Sequence, residues 1–480
     1  MTPTRWLSAA GLHALLGAHR LRTPAYRDLA ERIRYLVVDG RLAVGTRLPS
    51  ERELARDLQV SRSTVTAAYA QLGTAGYLRA RQGAGNFVVV PPGRALGGLP
   101  GVGLAAEAGT LNLTFGAPAA PAGVAEAYAG ALEQLPGLLR SHGYSADGLP
   151  VLRERIAAWY TARGLPTVPG QVVVTSGALA ALNVVTAALL GPGDRVLVEA
   201  PGYANALEAL RRRGARLLPY PLGPDGWDAP GFDATLRQTA PRAAYLVPDF
   251  QNPTGAWLSK ELRPELAAAL RRARTVAVVD ETLVETRLDG QPPRVPFAAS
   301  LPDAVTLGSA SKAFWGGLRV GWVRAPSELV RTLVEHRATL DLGTAPLEQL
   351  VLATLLEDPE PVLADQRRRL REQRDRLVQQ LAEHLPDWRC RVPGGGLSLW
   401  VELPTESSSR LAAAAEQQGL LLSAGPRFYP GAGGERRVRL PYAASPEVLD
   451  DAVQRLIRAW ATVQDESCRA PALPPLELSA

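Results

Sequence analysis

The stretch LGSASKAFWGGLRVGW, residues 307–322, places Lys312 three residues after Ser309, next to Ser311, and seven residues before Arg319. Its amine stands out in this chain, because of 53 basic residues only Lys260 and Lys312 are lysines. Arginine keeps its proton and cannot form a Schiff base, whereas a lysine amine can be deprotonated and can condense with a carbonyl. Where a bare positive charge suffices, this chain uses arginine. A retained lysine therefore points to use of the amine. Composition alone leaves open that one of two leftover lysines falls here by chance, so the neighbouring motifs have to decide.

Those motifs share one kind of position. From about Leu111, apolar runs of strand length (QVVVTSG, DRVLVEA, AAYLVPD, TVAVVDE, AVTLGSAS) alternate with longer alanine- and leucine-rich helical stretches. This alternation predicts an α/β sandwich with a largely parallel sheet, whose ligands bind at the carboxyl ends of the strands. Ser176, Gly177 and Ala178 sit where a strand gives way to a helix, and exposed N–H groups at a helix N-terminus hold phosphate. Tyr203 ends EAPGY, with a ring that can stack on a flat ligand. Asn252 opens NPTG. Asp280 ends a very apolar strand, and a carboxylate there needs a cationic or hydrogen-bonding partner. Each motif alone has a plainer reading: an ordinary turn, a packed tyrosine, a capping acid. Together they make a phosphate cradle, a stacking ring, an amide, a buried carboxylate, a lysine and an arginine, which is the set pyridoxal 5'-phosphate (PLP) needs. The lysine binds the aldehyde, and the carboxylate pairs with the ring nitrogen and keeps the ring an electron sink.

The order and spacing of SGA, EAPGY, NPTG, VVDE and SASK…GLRVG resemble fold-type I aminotransferases over roughly residues 111–462. The resemblance implies that Lys312 carries the cofactor, Asp280 holds its ring nitrogen, Asn252 bonds the ring hydroxyl and Tyr203 stacks. It gives the phosphate to Ser176, Gly177, Ala178, Ser309, Ser311 and Arg319. Tyr144 matches a tyrosine that crosses from the partner subunit, and Arg439, in VRLPYA, an arginine that takes an α-carboxylate through its bidentate fork. Three positions depart from the pattern. Thr282 stands where a tyrosine supports the ring hydroxyl, Leu179 where many relatives have glutamine, and Asn205 where one branch places a substrate-reading arginine.

The amino-terminal part reads differently. Thr23-Pro24 starts a helix running to about Val38 and stopping at Asp39-Gly40. SERE at 50–53 is a capping box opening a short helix. Ser61 caps a third helix with Val65, Ala68, Tyr69 and Leu72 on one face, and two short strands follow around a glycine-rich tip. This is the layout of a winged helix-turn-helix, with Arg62, Ser63 and Thr64 at the start of the recognition helix. Between Arg20 and Val90 there are 12 arginines against 6 acids, a surplus equal to the net charge of +6 of the whole chain. Such concentration on one small module is the footprint of phosphate binding. Residues 24–90 resemble the GntR-type winged-helix domain. The resemblance implies DNA contacts from Arg52, Arg62, Ser63 and Thr64, with a wing near Arg81 and Gly83.

At 480 residues with 46% hydrophobic content, the chain can bury two or three cores. The predicted organisation is a helical extension at 1–22, where residues 7–18 form an amphipathic helix, the DNA-binding domain at 23–91, and a proline- and glycine-rich linker at 92–110. The aminotransferase-like domain covers 111–465, with a three-layer large part and a small carboxy-terminal α/β subdomain, and a disordered tail covers 466–480. In the small subdomain a long helix carries Leu363, Leu370, Leu377 and Leu381. The arginine-rich run 367–376 reads as its solvated face. Two distant cysteines suggest neither a disulfide framework nor a zinc site. No metal and no membrane partner are expected, and a DNA reader belongs in the cytoplasm. The combination resembles the MocR family of bacterial regulators. It implies a PLP-dependent regulator of transcription, a domain-swapped homodimer that reads double-stranded DNA with paired half-sites and responds to an amine or amino-acid effector or to PLP itself. The rival expectations are a working aminotransferase with an appended head, and a cofactor-free regulator on a dead scaffold.

Overall fold

The structure is a computed structural model and describes residues 6–17, 21, 23–38, 41–81, 83–91, 109–290 and 295–468. The expected helix stop at Asp39-Gly40, most of the linker and residues 469–480 lie outside the described residues.

Helix α1 (Ala9–Leu16) is capped by Ser8, whose Oγ accepts from the Gly11 N–H at 3.0 Å. Its Leu12 is fully buried in the same core as Leu29, Ile33 and Val65. The expected amino-terminal extension is thus part of the head itself. Helix α2 (Ala25–Val38) buries Leu29, Ile33, Leu36 and Val37 at helical spacing. Helix α3 (Glu51–Asp57) opens with the predicted capping box: the Ser50 N–H donates to the Glu53 carboxylate at 3.0 Å, and the Glu53 N–H to Ser50 Oγ at 3.2 Å. Helix α4 (Arg62–Thr74) buries Val65, Ala68, Tyr69 and Leu72, the face read from the sequence. Strands β1 (Leu78–Arg81) and β2 (Gly85–Val88) pair antiparallel with Leu78 opposite Val88 and close the wing.

The body begins with β3 (Leu111–Asn112), followed by α5 (Val124–Leu138) and α6 (Pro150–Ala162). Then come β4 (Val172–Thr175), α7 (Ala178–Leu189), β5 (Arg195–Ala200), α8 (Ala204–Arg212), β6 (Arg216–Pro221), α9 (Ala229–Thr239), β7 (Ala243–Leu246), α10 (Leu262–Ala273), β8 (Val276–Asp280), β9 (Val305–Ser309), α11 (Ala310–Ala313) and β10 (Gly321–Arg324). The sheet order is β4-β10-β9-β8-β7-β5-β6, parallel except for β10, which runs antiparallel to both neighbours. Its central strands are buried on both faces, which is why they read as unbroken apolar runs. Strands β6 and β10 escape that reading. The first is a half-exposed edge strand with two prolines, and the second is only four residues long behind the Lys312 stretch. In β10, Trp322 lies directly across from Gly308, where a Cβ would fall 2.1 Å from the indole. Only glycine lets these two strands close up behind Ser309 and Lys312.

After α12 (Ser327–Arg337) and α13 (Pro346–Leu355), the long α14 (Glu360–His384) leads into the small domain. Its Leu363, Leu370, Leu377 and Leu381 are all buried. The arginine run is not wholly a solvated face, however. Arg367 and Arg374 are buried and pair with Glu285 and Asp289 of the large domain, while Arg368 and Arg376 stay at the surface. Two guanidinium groups thus pin the helix where the leucine stripe alone would let it slide. The small domain adds β11 (Arg389–Cys390), β12 (Ser398–Glu402), α15 (Ser408–Gln417), β13 (Leu420–Leu421), β14 (Ser423–Ala424), β15 (Arg437–Pro441) and α16 (Pro446–Cys468). Its sheet order is β11-β12-β15-β14, and β13 pairs with β3. The last helix runs to Cys468, past the predicted start of the tail at 466. The head meets this domain where Arg41 comes within 4.0 Å of Glu435.

Candidate functional site

A cavity of about 530 Å³ opens between the large and small domains. Lys312, on the single turn of α11, reaches into it and donates from Nζ to the Gly116 carbonyl at 2.6 Å. Burial lowers its pKa to about 8, Arg439 and Arg319 push the same way, and Asp280 partly opposes them. A sizeable minority of this amine is therefore neutral near physiological pH, and capture of an aldehyde uses that neutral form.

Asp280 ends β8 with a fixed carboxylate. Its Oδ2 accepts from the Tyr245 hydroxyl at 2.6 Å, and its Oδ1 accepts from the Thr282 N–H at 2.8 Å and from the Thr282 hydroxyl. Thr282 thus braces the carboxylate. Tyr245, on the adjacent strand, went unread in the sequence because one tyrosine in an apolar strand looks like packing.

The phosphate side is built from backbone approach. Gly177 has φ +109°, and a Cβ there would fall 2.8 Å from Arg319 Nη2. Arg319, itself in the left-handed region at φ +51°, donates to the Ser176 carbonyl at 2.7 Å. Gly177 and Ala178 line the cavity at the start of α7, together with Ser309 and Ser311. The Ser309 hydroxyl accepts from the Ser311 N–H at 3.2 Å and donates to the Ser311 hydroxyl at 3.0 Å. Ser176 contributes a carbonyl to Arg319 and is not among the lining residues.

Asn252 and Tyr203 face the same cavity. The Asn252 turn is braced from behind by buried Glu199, which accepts from the Val247 N–H at 3.0 Å, Trp227 Nε1 at 3.2 Å and Gln251 Nε2 at 3.1 Å. Gln251 Oε1 in turn accepts from the Thr254 N–H at 3.1 Å and the Thr254 hydroxyl at 2.7 Å. Burial pushes the Glu199 carboxyl up to about 7 against these donors. Arg439, on β15, is buried, donates to Asn252 Oδ1 at 3.3 Å and to the Thr114 carbonyl, and stacks 5.0 Å from the Phe428 ring. Its Nε is buried with no hydrogen-bond partner among the described residues. Burial lowers its pKa to about 10, with Arg427 adding to the effect. Arg427 also lines the cavity, and no sequence motif singled it out. Tyr144 is 66% exposed and stands apart from this chain's own cavity.

These residues fit PLP. A neutralisable amine, a fixed carboxylate and a glycine cradle that a Cβ would fill meet in one cavity of ligand size.

In the head, the side chain of Arg62 is 72% exposed at the start of the recognition helix, its Nε 3.5 Å from Glu51. Arg52, Ser63, Arg81 and Gly83 are exposed too, and Arg81 lies 4.7 Å from the Phe87 ring centre. The hydroxyls of Ser63 and Thr64 are 2.8 Å and 2.7 Å from Ser61 Oγ, so both join the helix cap. Arg62 thus stays exposed at the start of the recognition helix while the Ser63 and Thr64 hydroxyls are held by the cap. Arg47 and Arg79, exposed beside the wing, extend the basic surface.

Residues 124–456 match the family Aminotransferase class I and II, and residues 25–88 match Bacterial regulatory proteins, gntR family. A protein designated as a rhizopine catabolism regulator, MocR, from Rhizobium meliloti is 31% identical over 76% of this chain and 78% of its own length. The HTH-type transcriptional regulator TauR of Rhodobacter capsulatus is 27% identical over 90% of this chain and 96% of its own. Among solved structures, LysN, the alpha-aminoadipate aminotransferase from Thermus thermophilus complexed with N-(5'-phosphopyridoxyl)-L-leucine, superposes with a TM-score of 0.67. It is 31% identical and covers 75% of this chain and 94% of its own. No helix among the described residues is long and apolar enough to cross a membrane. With a gntR head joined to a PLP-dependent aminotransferase fold, and regulators of the same two-part build among its relatives, this chain belongs to the MocR family of DNA-binding transcription regulators.

Proposed function

We propose that the protein regulates transcription by passing the ligand state of the Lys312 cavity to the winged head, with PLP alone or an amine or amino acid as the effector. The observation that carries this reading is the coexistence of two kinds of site in one chain. The cavity keeps Lys312, Asp280, Arg319 and Arg439 in working relation, and the head keeps a capped recognition helix with Arg62 directed outward. When bound, PLP supplies an aldehyde that captures primary amines reversibly. Lys312 would hold it, Asp280 would fix its ring nitrogen, Arg319 and the start of α7 would take the phosphate, and Arg439 would orient an incoming α-carboxylate.

A short physical path runs from cavity to head. Arg439 lies on β15, and four residues earlier Glu435 faces Arg41 of the head. Glu435 also accepts from the Ser409 N–H at 3.0 Å and the Ser409 hydroxyl at 2.7 Å, tying the start of α15 to the same point. A ligand that shifts β15 would shift the seat of the head, and that shift is allosteric only where the two ligand states differ in DNA affinity. We infer a cytoplasmic, domain-swapped homodimer reading paired half-sites, in which the exposed Tyr144 completes the partner's cavity.

The test is footprinting on DNA upstream of the protein's own gene, with and without PLP and candidate amines, using wild type and Lys312→Ala. The expected result is a protected pair of half-sites whose occupancy responds to ligand in wild type only. A protection pattern indifferent to every ligand sinks the switching mechanism. The intact amine and carboxylate also keep a working aminotransferase in view. Substantial transamination by wild type, with cofactor-independent DNA binding, would establish that reading instead.

A further inference from the structure

The sheet carries a second buried carboxylate near the cavity, and the cofactor reading uses only Asp280. Glu199, near the end of β5, is 1% exposed and is not among the lining residues. A carboxylate so buried needs partners, and the three it has can only donate. The Val247 N–H and the Trp227 indole meet its Oε1 at 3.0 Å and 3.2 Å, and the Gln251 amide meets its Oε2 at 3.1 Å. That amide cannot be turned round. Gln251 Oε1 accepts from the Thr254 N–H at 3.1 Å, and Gln251 Nε2 donates to the Pro201 carbonyl at 2.8 Å. Both oxygens of Glu199 therefore face fixed donors. A carboxyl proton finds no acceptor among these three partners, and an amide in place of the acid sets donor against donor.

Gln251 carries this anchor to the cavity. The turn it opens closes on itself, the Gln251 N–H donating to the Ala256 carbonyl at 2.7 Å and the Gly255 N–H to the Gln251 carbonyl at 2.6 Å. Asn252 lies inside that turn and lines the cavity. Arg439, which only donates, holds Asn252 Oδ1 at 3.3 Å, so the amide hydrogens are what Asn252 can offer a ligand.

We propose that Glu199 is a positioning residue of the cofactor site: its carboxylate fixes the Gln251 amide and, through the 251–256 turn, holds Asn252 where its amide meets the ring hydroxyl of PLP. The proposal rests on the Asn252 role that the aminotransferase resemblance implies, and deepens it. Burial opposes this carboxylate, and the negative charge of Asp280, two strands away, adds to the opposition, so its pKa rises to about 7. The other titratable side chains set against it, Tyr245 on β7 and Tyr220 on β6, are held neutral by burial. The hold on Asn252 should therefore loosen as pH falls through about 7.

The test measures the PLP affinity of full-length apoprotein by equilibrium dialysis at pH 8.5, for wild type, Glu199→Gln, Asn252→Ala and the double variant. Asn252→Ala removes one hydrogen bond and should weaken PLP binding about tenfold. Glu199→Gln should weaken it by a similar factor alone, but by less than about twofold where Asn252 is already gone. The visible band of the bound cofactor should shift in the same direction in both single variants. An equal loss from Glu199→Gln in both backgrounds, or no loss in either, overturns the proposal. Unchanged affinity in Asn252→Ala removes Asn252 from the ring, and the proposal falls with that role. If Glu199→Gln does not fold, wild type and Asn252→Ala carry the test. Their affinity ratio cancels the titrations of Lys312 and of the cofactor, which both proteins share. It should fall from about tenfold at pH 8.5 to near one at pH 6. A ratio indifferent to pH overturns the proposal.

Discussion

The Lys312 amine should be reactive at a pH where an ordinary lysine is not. An exposed lysine with a pKa near 10.4 leaves only about one amine in a thousand unprotonated at pH 7.5. At a pKa of about 8, roughly a quarter of Lys312 is neutral there. Other things equal, apoprotein should capture PLP about 200-fold faster than an exposed lysine does. The assay is stopped-flow mixing of apoprotein with PLP from pH 6.5 to 9.5, following the visible band. The rate should rise with pH, reach half its maximum at about 8 and level off about one pH unit above that. Arg439→Gln removes a neighbouring cation and should move the inflection up, while Asp280→Asn removes the opposing anion and should move it down. An inflection at the ordinary lysine value, or one that ignores both substitutions, refutes the argument that burial and neighbouring arginines activate this amine.

The same lowered pKa has a stability consequence. The unfolded chain binds the Lys312 proton more tightly than the folded chain, so this residue destabilises apoprotein below about pH 8, and the penalty fades as pH rises from there towards 10.5. Lys312→Met apoprotein should be more stable than wild type at pH 7, by up to ~3 kcal/mol before solvent screening. Urea unfolding at pH 7 and pH 10 should show the gap narrowing. Arg62→Ala should weaken operator binding by about 1–3 kcal/mol if the side chain reads a base, or lower the salt slope by about 1 if it holds a phosphate. Filter binding across a salt series separates the two, and no change in either would remove Arg62 from the interface. Arg439→Ala should keep PLP bound yet weaken the response to amino acids by about a hundredfold or more, because the α-carboxylate loses a buried bidentate partner. An unchanged titration would place the carboxylate elsewhere.

Local sequence carried the elements and many of the residues that line the cavity. Caps and helical spacing involve only near neighbours, so the capping box at Ser50, the cap at Ser61 and the buried face of α4 were legible before any fold was known. Strands buried on both sides are continuous apolar runs, so the core strands that end at Thr175, Asp280 and Ser309 were legible too, and with them the residues at their tips. Packing in three dimensions settled what no local pattern encodes. It folded the amino-terminal helix into the head through Leu12, a contact between segments far apart in sequence. It buried Arg367 and Arg374 of a run that looks like solvated surface, because their acidic partners lie some 80 residues away. It inserted β10 antiparallel between β9 and β4, and put Tyr245 behind Asp280 across a parallel strand pair. It also brought Arg427 into the cavity beside Arg439. That convergence depends on the Gly425 turn seating against Gly434 and Arg437, a matter of backbone approach through space with no counterpart in residue spacing.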